Sequence, residues 1–504
     1  MRCLLASLLK RNLRTSTTRG GGPMDMVEAL TLVDRIYTRL NNRRPDIDQA
    51  ERYYLGDQPL TFATTEWLTA NASRYHGFSD NWSAPVVNAA AERIRYTGMK
   101  LPSDAGEDAA KGLHETWLRN DGDMQSAQGF TTSLTTGRAF VIVWGDKSTD
   151  EPLMTWEHPS SVEIEYDFAN PRIRKAALKT WADETLEYAT LYTPTYVWKF
   201  QRKRIVSKSE LESQAQQAKV GVATSGGWSV RELAGEPWPL PNPIGLVPVV
   251  EVPNRPTLRG DPVSEIRGVI PMQDAINMLW AYLFLAADYA SMPARVVLNA
   301  SPPMVPVLDA DGKKISEKPV DMKELSEKRL FYVSGEGSID SWEAARLDVF
   351  TDTIDVAVGH IASQTRTPPT YLVSKTGMSN VNGEGLKASE IGLNKKVQEF
   401  ENFAGSAMRE VNRLIALVQG DEALADLVRL GKATWMDPEI RSESQMADAL
   451  QKKRSMGYPF EYILELDGVE PLEIDRILAL KLKEEKMLLD FAVQDAVNGM
   501  GNAA

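Results

Sequence analysis

The amino-acid sequence predicts an α+β protein built of several substructures. Helical periodicity marks both ends of the chain, and six short runs of strand-forming residues lie between residues 139 and 200. From Leu386 the apolar residues recur every seven positions up to Leu414, with a second row four residues further on that only Glu390 interrupts. Two such rows form one stripe on a helix, and the absence of proline from 384 to 418 predicts a single helix of about 50 Å.

The composition limits the classes of function. With 504 residues, of which 43 % are hydrophobic, the chain can bury a substantial core and form two or more substructures. Its one cysteine, Cys3, excludes an intrachain disulfide framework, as expected for assembly in a reducing cytosol. The net charge of −12 argues against tight, sequence-independent binding of nucleic acid, which depends on Lys and Arg. It is compatible with a channel through which DNA slides without sticking.

The chain begins with a basic leader. Residues 1–23 contain five Lys or Arg and no acidic residue, which indicates a disordered tail or an over-extended start, with a transit peptide as the alternative. An amphipathic helix should follow from Met26. Further helices should fill residues 46–101, the last of them ending at Gly98 as a glycine cap, and another helix is predicted over residues 117–137.

An antiparallel sheet is predicted next, because strand-like runs alternate with turn residues. The predicted strands are residues 140–144, 153–156, 162–166, 176–181, 188–192 and 196–200. Basic residues at 202–204 could contact nucleic acid, although a solvated sheet edge has the same composition. Residues 233–256 are rich in proline and glycine and are interpreted as a linker or a return into the sheet.

A helix should follow the sheet region, with Asp261 as its N-cap and Pro262 at its first position. We expect it to reach residue 289 and to kink or break at Pro271. Its apolar run at 279–287 is shorter than the roughly 20 residues that a bilayer requires. The sequence therefore predicts packing against protein and no membrane span.

A second β region and a second helix lie before the long helix. Strands are predicted at 305–308 and 329–334, and Asp340 or Ser341 should cap a helix that ends before Pro368. After the long helix, short helices separated by glycines should lead to a charged helix over residues 471–490, with a frayed tail behind it.

A glycine-rich stretch stands directly before the long helix. Glycines occur at 377, 383 and 385, and asparagines at 380 and 382. These residue types tolerate positive φ and offer little surface to bury, so a mobile loop is predicted here. A mobile loop followed directly by a long, stiff helix suggests a lever. A core helix that follows an ordinary surface loop would have the same sequence pattern.

Motifs for common catalytic sites are missing from the sequence. Four scattered histidines and one cysteine do not supply zinc-ligand spacings, and neither a G-x-x-x-x-G-K-[ST] nor a G-x-S-x-G motif occurs. Residues 383–388 match the looser fingerprint G-x-G-x-x-A, which must follow a buried strand, whereas residues 376–382 are polar turn formers. We therefore assign no catalytic residue, metal or cofactor. The alternative hypothesis is a cytosolic nucleotide-binding enzyme that uses the glycine loop at 377–388.

Seven short stretches, taken in their order, resemble one known family. They are Tyr53-Tyr-Leu-Gly56, Asn88-Ala-Ala-Ala-Glu-Arg93 with Gly98, Gly137-Arg-Ala-Phe-Val-Ile-Val143, Gly260-Asp-Pro-Val-Ser264 with Met272-Gln-Asp-Ala-Ile-Asn277, Thr367-Pro-Pro-Thr-Tyr-Leu372, Gly383-Glu-Gly-Leu-Lys-Ala-Ser-Glu390, and Ser444-Gln-Met-Ala-Asp-Ala-Leu450 with Gly457. Together they span almost the whole chain from about residue 26. With them the sequence resembles the portal proteins of tailed bacteriophages and prophages.

The resemblance implies a homo-oligomeric ring, usually of twelve copies, at one vertex of the virion capsid. The large subunit of a terminase would pump double-stranded DNA through it without tight binding, and the DNA would later leave through a head–tail adaptor. Major capsid and scaffolding proteins would be further partners, assembly would occur in the bacterial cytoplasm, and the protein itself would not be an enzyme. Another ring-forming capsid or tail component remains an alternative.

The resemblance also implies a division of the chain. Residues 1–25 would be the leader, 26–256 an α/β wing, 257–290 the first stem helix, 291–340 a small β-containing clip, 341–366 the second stem helix, 367–385 the tunnel-loop region, 386–420 the long helix, 421–490 an α-helical crown and 491–504 a tail. The residues expected to meet DNA in the channel are Lys375, Gly377, Met378, Ser379, Asn380, Val381, Asn382, Gly383, Gly385 and Lys387. For the two lysines, contact with phosphates and ordinary solvation are both compatible with the sequence.

Overall fold

The fold is α+β, as the sequence predicts. The computed structural model describes residues 24–60, 65, 69, 78–145, 151–204, 227–258, 261–291, 295–298, 304–308, 313–319, 330–333, 346–372, 383–439 and 443–501. Within these ranges, no helix is long and apolar enough to cross a bilayer.

The first helix, α1 (Met26–Leu55), has well-defined ends. The Glu28 N–H donates to the Asp25 carboxylate at 2.8 Å, which forms a capping box, and Gly56 closes the helix with φ of 83°. The predicted amphipathic helix is confirmed. It also continues through Pro45 without a break, whereas an interrupted helical pattern was expected from residue 46.

A group of helices and one strand follows. These elements are α2 (Ser83–Ala91), β1 (Tyr96–Lys100), α3 (Glu107–Arg119) and α4 (Gly122–Thr136). The prediction that Gly98 ends a helix is wrong, because Gly98 lies inside β1 and pairs with Thr434. The single helix predicted over residues 117–137 is two helices, separated at Asp121, which has a left-handed φ of 49°.

The six predicted strands are all present, and they belong to two antiparallel sheets rather than one. The strands are β2 (Arg138–Gly145), β3 (Pro152–Glu157), β4 (Val162–Tyr166), β5 (Arg174–Ala182), β6 (Leu186–Tyr192) and β7 (Tyr196–Lys203), followed by β8 (Ser229–Val230), β9 (Leu240–Pro241) and β10 (Val249–Pro253). One sheet has the order β10-β2-β3 and the other β4-β5-β6-β7-β8, with β9 on β7. Because β10 pairs with β2, the proline-rich stretch at 233–256 returns into a sheet, one of the two roles expected of it.

A ladder of arginines docks α1 on the six-stranded sheet. Arg35, Arg39 and Arg43 are four residues apart and therefore lie on one face of the helix. Arg39 donates to Glu163 at 2.8 Å, Arg35 donates to Glu165 at 3.1 Å, and Arg43 is ion-paired with Glu163. Both glutamates are buried on β4, so each arginine satisfies a carboxylate that has little access to water.

The helix after the sheets begins later than predicted. It is α5 (Ile270–Ser291), whereas residues 261–264 have no regular secondary structure and residues 265–269 form turns. The Asp261 carboxylate accepts a bond from Arg138 at 2.6 Å, which accounts for its failure to cap a helix. Pro271 stands in the first turn of α5, where a missing N–H costs nothing, so the expected kink or break at Pro271 is also wrong.

The second β region forms two separate strand pairs. They are β11 (Arg295–Leu298) parallel to β14 (Leu330–Val333), and β12 (Met304–Leu308) antiparallel to β13 (Lys314–Pro319). The helix α6 (Asp348–Thr365) follows, and it contacts α5. The cap predicted at Asp340 or Ser341 lies outside the described residues.

The predicted long helix is confirmed as α8 (Gly383–Val418), which follows the one-turn helix α7 (Pro369–Leu372). Its two apolar rows are buried from Leu393 to Leu414 and form the centre of the largest core cluster, together with residues of α2, α4, α6, β2 and β10. The stripe in the sequence therefore marks the element on which the rest of the chain packs.

The C-terminal part is mainly helical. It contains α9 (Glu422–Leu430), β15 (Lys432–Trp435), α10 (Glu443–Ser455), α11 (Phe460–Leu466) and α12 (Pro471–Gly501). The strand β15, which pairs with β1, was not predicted. The frayed tail expected from residue 491 is wrong for most of its length, because α12 continues to Gly501.

Candidate functional site

The ten residues expected to meet DNA fall into two groups. Lys375 and residues 377–382 lie outside the described residues. Gly383, Gly385 and Lys387 belong to the first turns of α8, so the boundary predicted after residue 385 is corrected to 382. Two glycines cost helix stability of about 1 kcal/mol each, but the buried stripe further along α8 supplies the packing that holds the helix together.

The segment 373–382 is bounded by ordered helices on both sides. Leu372, the last residue of α7, is 1 % exposed. On the other side α8 begins at Gly383. Residues 369–372 were expected to belong to the loop region, and their helical turn shortens that region at its start. The two ends of the segment are therefore fixed to the core, and the contacts that fix them define the site.

Arg93 anchors both sides of the segment at once. Its guanidinium donates to the Tyr371 hydroxyl at 2.9 Å and to the Asn394 side chain at 3.0 Å. It also donates to Glu390 at 3.4 Å and to the Pro438 carbonyl at 3.3 Å. Arg93 is 8 % exposed, so these bonds form where water competes little. One side chain thus connects α7, the start of α8 and the chain after β15.

Lys396, six residues after Glu390 on α8, provides a second anchor. Its ammonium group donates to the Thr365 carbonyl at 3.0 Å and lies 3.5 Å from the Glu265 carboxylate. Glu265 also accepts a hydrogen bond from Asn254 at 3.0 Å and forms an ion pair with Arg255 at 3.0 Å. Burial lowers the pKa of Lys396, and the charge of Glu265 opposes that shift. The anchor ties the end of α6 to α8 and to the turn after β10.

Sequence reasoning missed both anchors. Their partners lie far apart in the chain, since Arg93 and Asn394 are separated by 301 residues. One signal was available for the first anchor: Glu390, the charged residue that interrupts the apolar row of α8, needs a compensating charge when it packs against the core. Nothing comparable marks Lys396, which stands beside the stripe as an ordinary lysine does.

The surroundings of the glycines do not match a dinucleotide site. Gly383 and Gly385 lie inside the helix α8, whereas the fingerprint places its first glycines in the turn between a buried strand and a helix. Within the part of the chain that the structure describes, no group of three or more His, Cys, Asp or Glu could hold a metal ion. The arrangement thus supports the positioning of a chain segment.

Comparison with known proteins identifies the family. The family model described as phage portal protein, SPP1 Gp6-like, matches residues 33–485. The portal protein of Mycobacterium phage L5 is 26 % identical over 433 residues, which cover 82 % of this chain and 79 % of the relative. The portal protein of Mycobacterium phage D29 is 26 % identical over 432 residues, with the same coverage of both chains.

Among solved structures, a chain from the neck of an empty gene transfer agent (GTA) particle aligns with a TM-score of 0.40 at 11 % identity. The alignment covers 81 % of this chain and 95 % of the other. The family model spans far more than half of the chain. The chain therefore belongs to the SPP1 Gp6-like family of phage portal proteins, the structural proteins of the capsid portal vertex.

Proposed function

We propose that the protein assembles into a closed ring of about twelve copies and serves as the conduit for double-stranded DNA. The large terminase subunit would drive DNA into the head through it, and DNA would leave towards a head–tail adaptor. Major capsid and scaffolding proteins would surround the ring, which would be assembled in the bacterial cytoplasm and carried in the virion. In this role the protein has no enzymatic activity of its own.

One observation carries the DNA-contacting part of this proposal. The segment 373–382 begins and ends on helices that Arg93 and Lys396 fix to the core. A segment held in this way can be pushed by a passing duplex without moving the body of the protomer, because the load falls on α8, about 50 Å long. We assign Lys375 and residues 377–382 to the channel surface, with Gly383, Gly385 and Lys387 at its helical base.

The charge of the chain supports transit rather than retention of DNA. A net charge of −12 per protomer disfavours a large number of phosphate contacts, on which tight binding depends. Screening confines the field of each charge to roughly 8 to 10 Å at cellular salt, so a few lysines at the channel surface act only locally. Lys375 and Lys387 would then guide phosphates without trapping them.

The proposed regions correspond to elements of the fold as follows. The wing, 26–256, would contain α1 to α4 and both sheets, and the stem would consist of α5 and α6, which contact each other. The clip, 291–340, would contain β11 to β14. The crown would hold α9 to α11 and most of α12, while β15 joins it to β1 of the wing.

Deletion of residues 378–382 should separate assembly from transport. We expect rings of unchanged copy number by native mass spectrometry, because the anchors at Arg93 and Lys396 lie outside the deletion. The amount of DNA packaged per particle should fall to a small fraction, because the channel would lack its contact surface.

Replacement of the same five residues by Gly-Ser-Gly-Ser-Gly is the matched control for this deletion. It preserves the length of the segment and should retain more packaging than the deletion does. Normal packaging by rings that carry the deletion would contradict the role proposed for this segment.

A further inference from the structure

The hairpin between β4 and β5 presents a phenylalanine to solvent. Phe168 is 94 % exposed, and Ile173 across the turn is 51 % exposed. The turn is held in one shape, because the Asp167 carboxylate accepts hydrogen bonds from the backbone N–H groups of Ala169 and Asn170 at 2.7 and 3.0 Å. A fixed turn that holds a large aromatic side chain in water indicates an anchor for a partner.

The hairpin is cationic, unlike the chain as a whole. Residues 166–175 contain three basic residues and one acidic residue, Asp167. Asp167 is ion-paired with Lys175 at 2.9 Å, and Arg172 stands exposed at the tip beside Phe168. Because the chain carries a net charge of −12, an apolar and cationic tip fits a partner surface that has an apolar pocket and an acidic rim.

A cavity of this description lies elsewhere on the same chain. It has a volume of about 330 Å³ and lies between β1, the end of β15 and the turn before α12. Met436 and Val469 supply apolar lining, and Met436 is 47 % exposed. A dry apolar cavity of about 150 Å³ is enough to hold benzene, so a phenylalanine ring has room here.

Carboxylates outnumber guanidinium groups around the cavity. The acidic residues that line it, or that directly adjoin a lining residue in the chain, are Asp437, Asp467, Glu470 and Glu473. Arg95 donates to Glu470 at 2.8 Å. Arg476 pairs with Glu473 at 3.3 Å. Two guanidinium groups against four carboxylates leave the rim negative, as a cationic hairpin requires.

The hairpin and the cavity lie on opposite sides of α8 at nearly the same level. Arg174, at the foot of the hairpin, is ion-paired with Glu410. Tyr96, which stands between two cavity residues on β1, accepts a hydrogen bond from the Asn412 side chain at 3.0 Å. Glu410 and Asn412 point about 200° apart on the helix and differ in height by about 3 Å. The two surfaces therefore face away from each other, so one copy cannot fill its own cavity.

We propose that Phe168 of one copy inserts into the cavity beside Met436 of the next copy, with Arg172 at the acidic rim. A contact between two different surfaces of one chain is heterologous, and it repeats from copy to copy until a ring closes. The inference rests on the ring of the proposed function and names one contact that holds neighbouring copies together.

Disulfide trapping tests this contact directly. In a Cys3→Ser background, Phe168→Cys places a thiol on the hairpin and Met436→Cys places one in the cavity. After mild oxidation, the double variant should give a ladder of covalent species well beyond the dimer on a denaturing gel. Each single variant should give little or no crosslinking, because hairpin does not meet hairpin and cavity does not meet cavity.

The matched control pairs Phe168→Cys with Leu55→Cys, because Leu55 is 76 % exposed and ends α1, outside both surfaces. A ladder from this control as strong as that of the test pair would overturn the contact, and so would a strong dimer band from Phe168→Cys alone. Rings in native mass spectrometry without a ladder would overturn the contact and leave the proposed function intact. A ladder without rings would contradict the proposed function and retain the contact between hairpin and cavity.

Discussion

Glu265→Gln should lower the free energy of unfolding by about 3 kcal/mol, because it leaves the buried ammonium group of Lys396 without its counter-charge. Glu265 has a side chain 2 % exposed, and Lys396 has one 4 % exposed. A second substitution, Lys396→Met, should restore much of the loss in the double variant, since an apolar side chain needs no counter-charge there. Urea denaturation measures the unfolding free energy of the native protein and of both variants, at one fixed protein concentration because assembly alters apparent stability.

The matched control for this pair is an exposed ion pair on α10. Lys452 and Asp448 are 2.7 Å apart with side chains 73 % and 61 % exposed. Asp448→Asn should change the unfolding free energy by less than about 0.5 kcal/mol, because water and salt screen such pairs. Equal effects of Glu265→Gln and Asp448→Asn would show that the buried pair of Glu265 and Lys396 does not stabilise the fold.

The native protein should lose stability as the pH rises, and Glu401→Gln should abolish this loss. Glu401 lies on α8 and is 9 % exposed, and its Oε1 atom has no hydrogen-bond partner among the described residues. Burial, with a smaller effect of Asp437, raises the pKa of Glu401 to about 8. A raised pKa means that the folded state keeps a proton that the unfolded state releases.

The sign of this effect follows from proton linkage. The stability due to the protonated Glu401 is complete below pH 4.5, the ordinary pKa, and is lost as the pH rises to about 8. Glutamine cannot ionise, so at pH 8 the variant should exceed the native protein by up to about 5 kcal/mol, with equal stability near pH 4. Urea denaturation at several pH values gives the comparison.

Glu399→Gln serves as the control on the same helix, since the Glu399 side chain is 42 % exposed and lies 3.6 Å from Arg366. It should leave the slope of stability against pH unchanged. If Glu401→Gln gave a profile parallel to that of the native protein between pH 5 and 8, Glu401 would be ionised in the folded state and the account of its burial would be wrong.

The sequence predicted those elements whose pattern is local. The stripe on α8 and the six strands from β2 to β7 repeat within short windows, so their periodicity was sufficient. The strand β1 was read as the end of a helix because its partner, β15, lies more than 300 residues away. The start of α5 was misplaced because Asp261, a good capping residue by type, is bonded to Arg138 on β2.

The site was predictable in part. The sequence identified a glycine-rich segment before the long helix, but Gly383 and Gly385 belong to that helix. Local propensity disfavours helical glycine, and here the packing of distant residues overrides it. The anchors Arg93 and Lys396 depend on contacts between elements that are remote in the chain, and such contacts leave little trace in the order of residues.

Electron cryo-microscopy of the purified assembly measures the central claim most directly. The account predicts a closed ring with a central hole whose narrowest wall is formed by the segment between Leu372 and Gly383, with α8 directly behind it. A ring in which this segment lies on the outer rim, or an assembly without a central hole, would contradict the account.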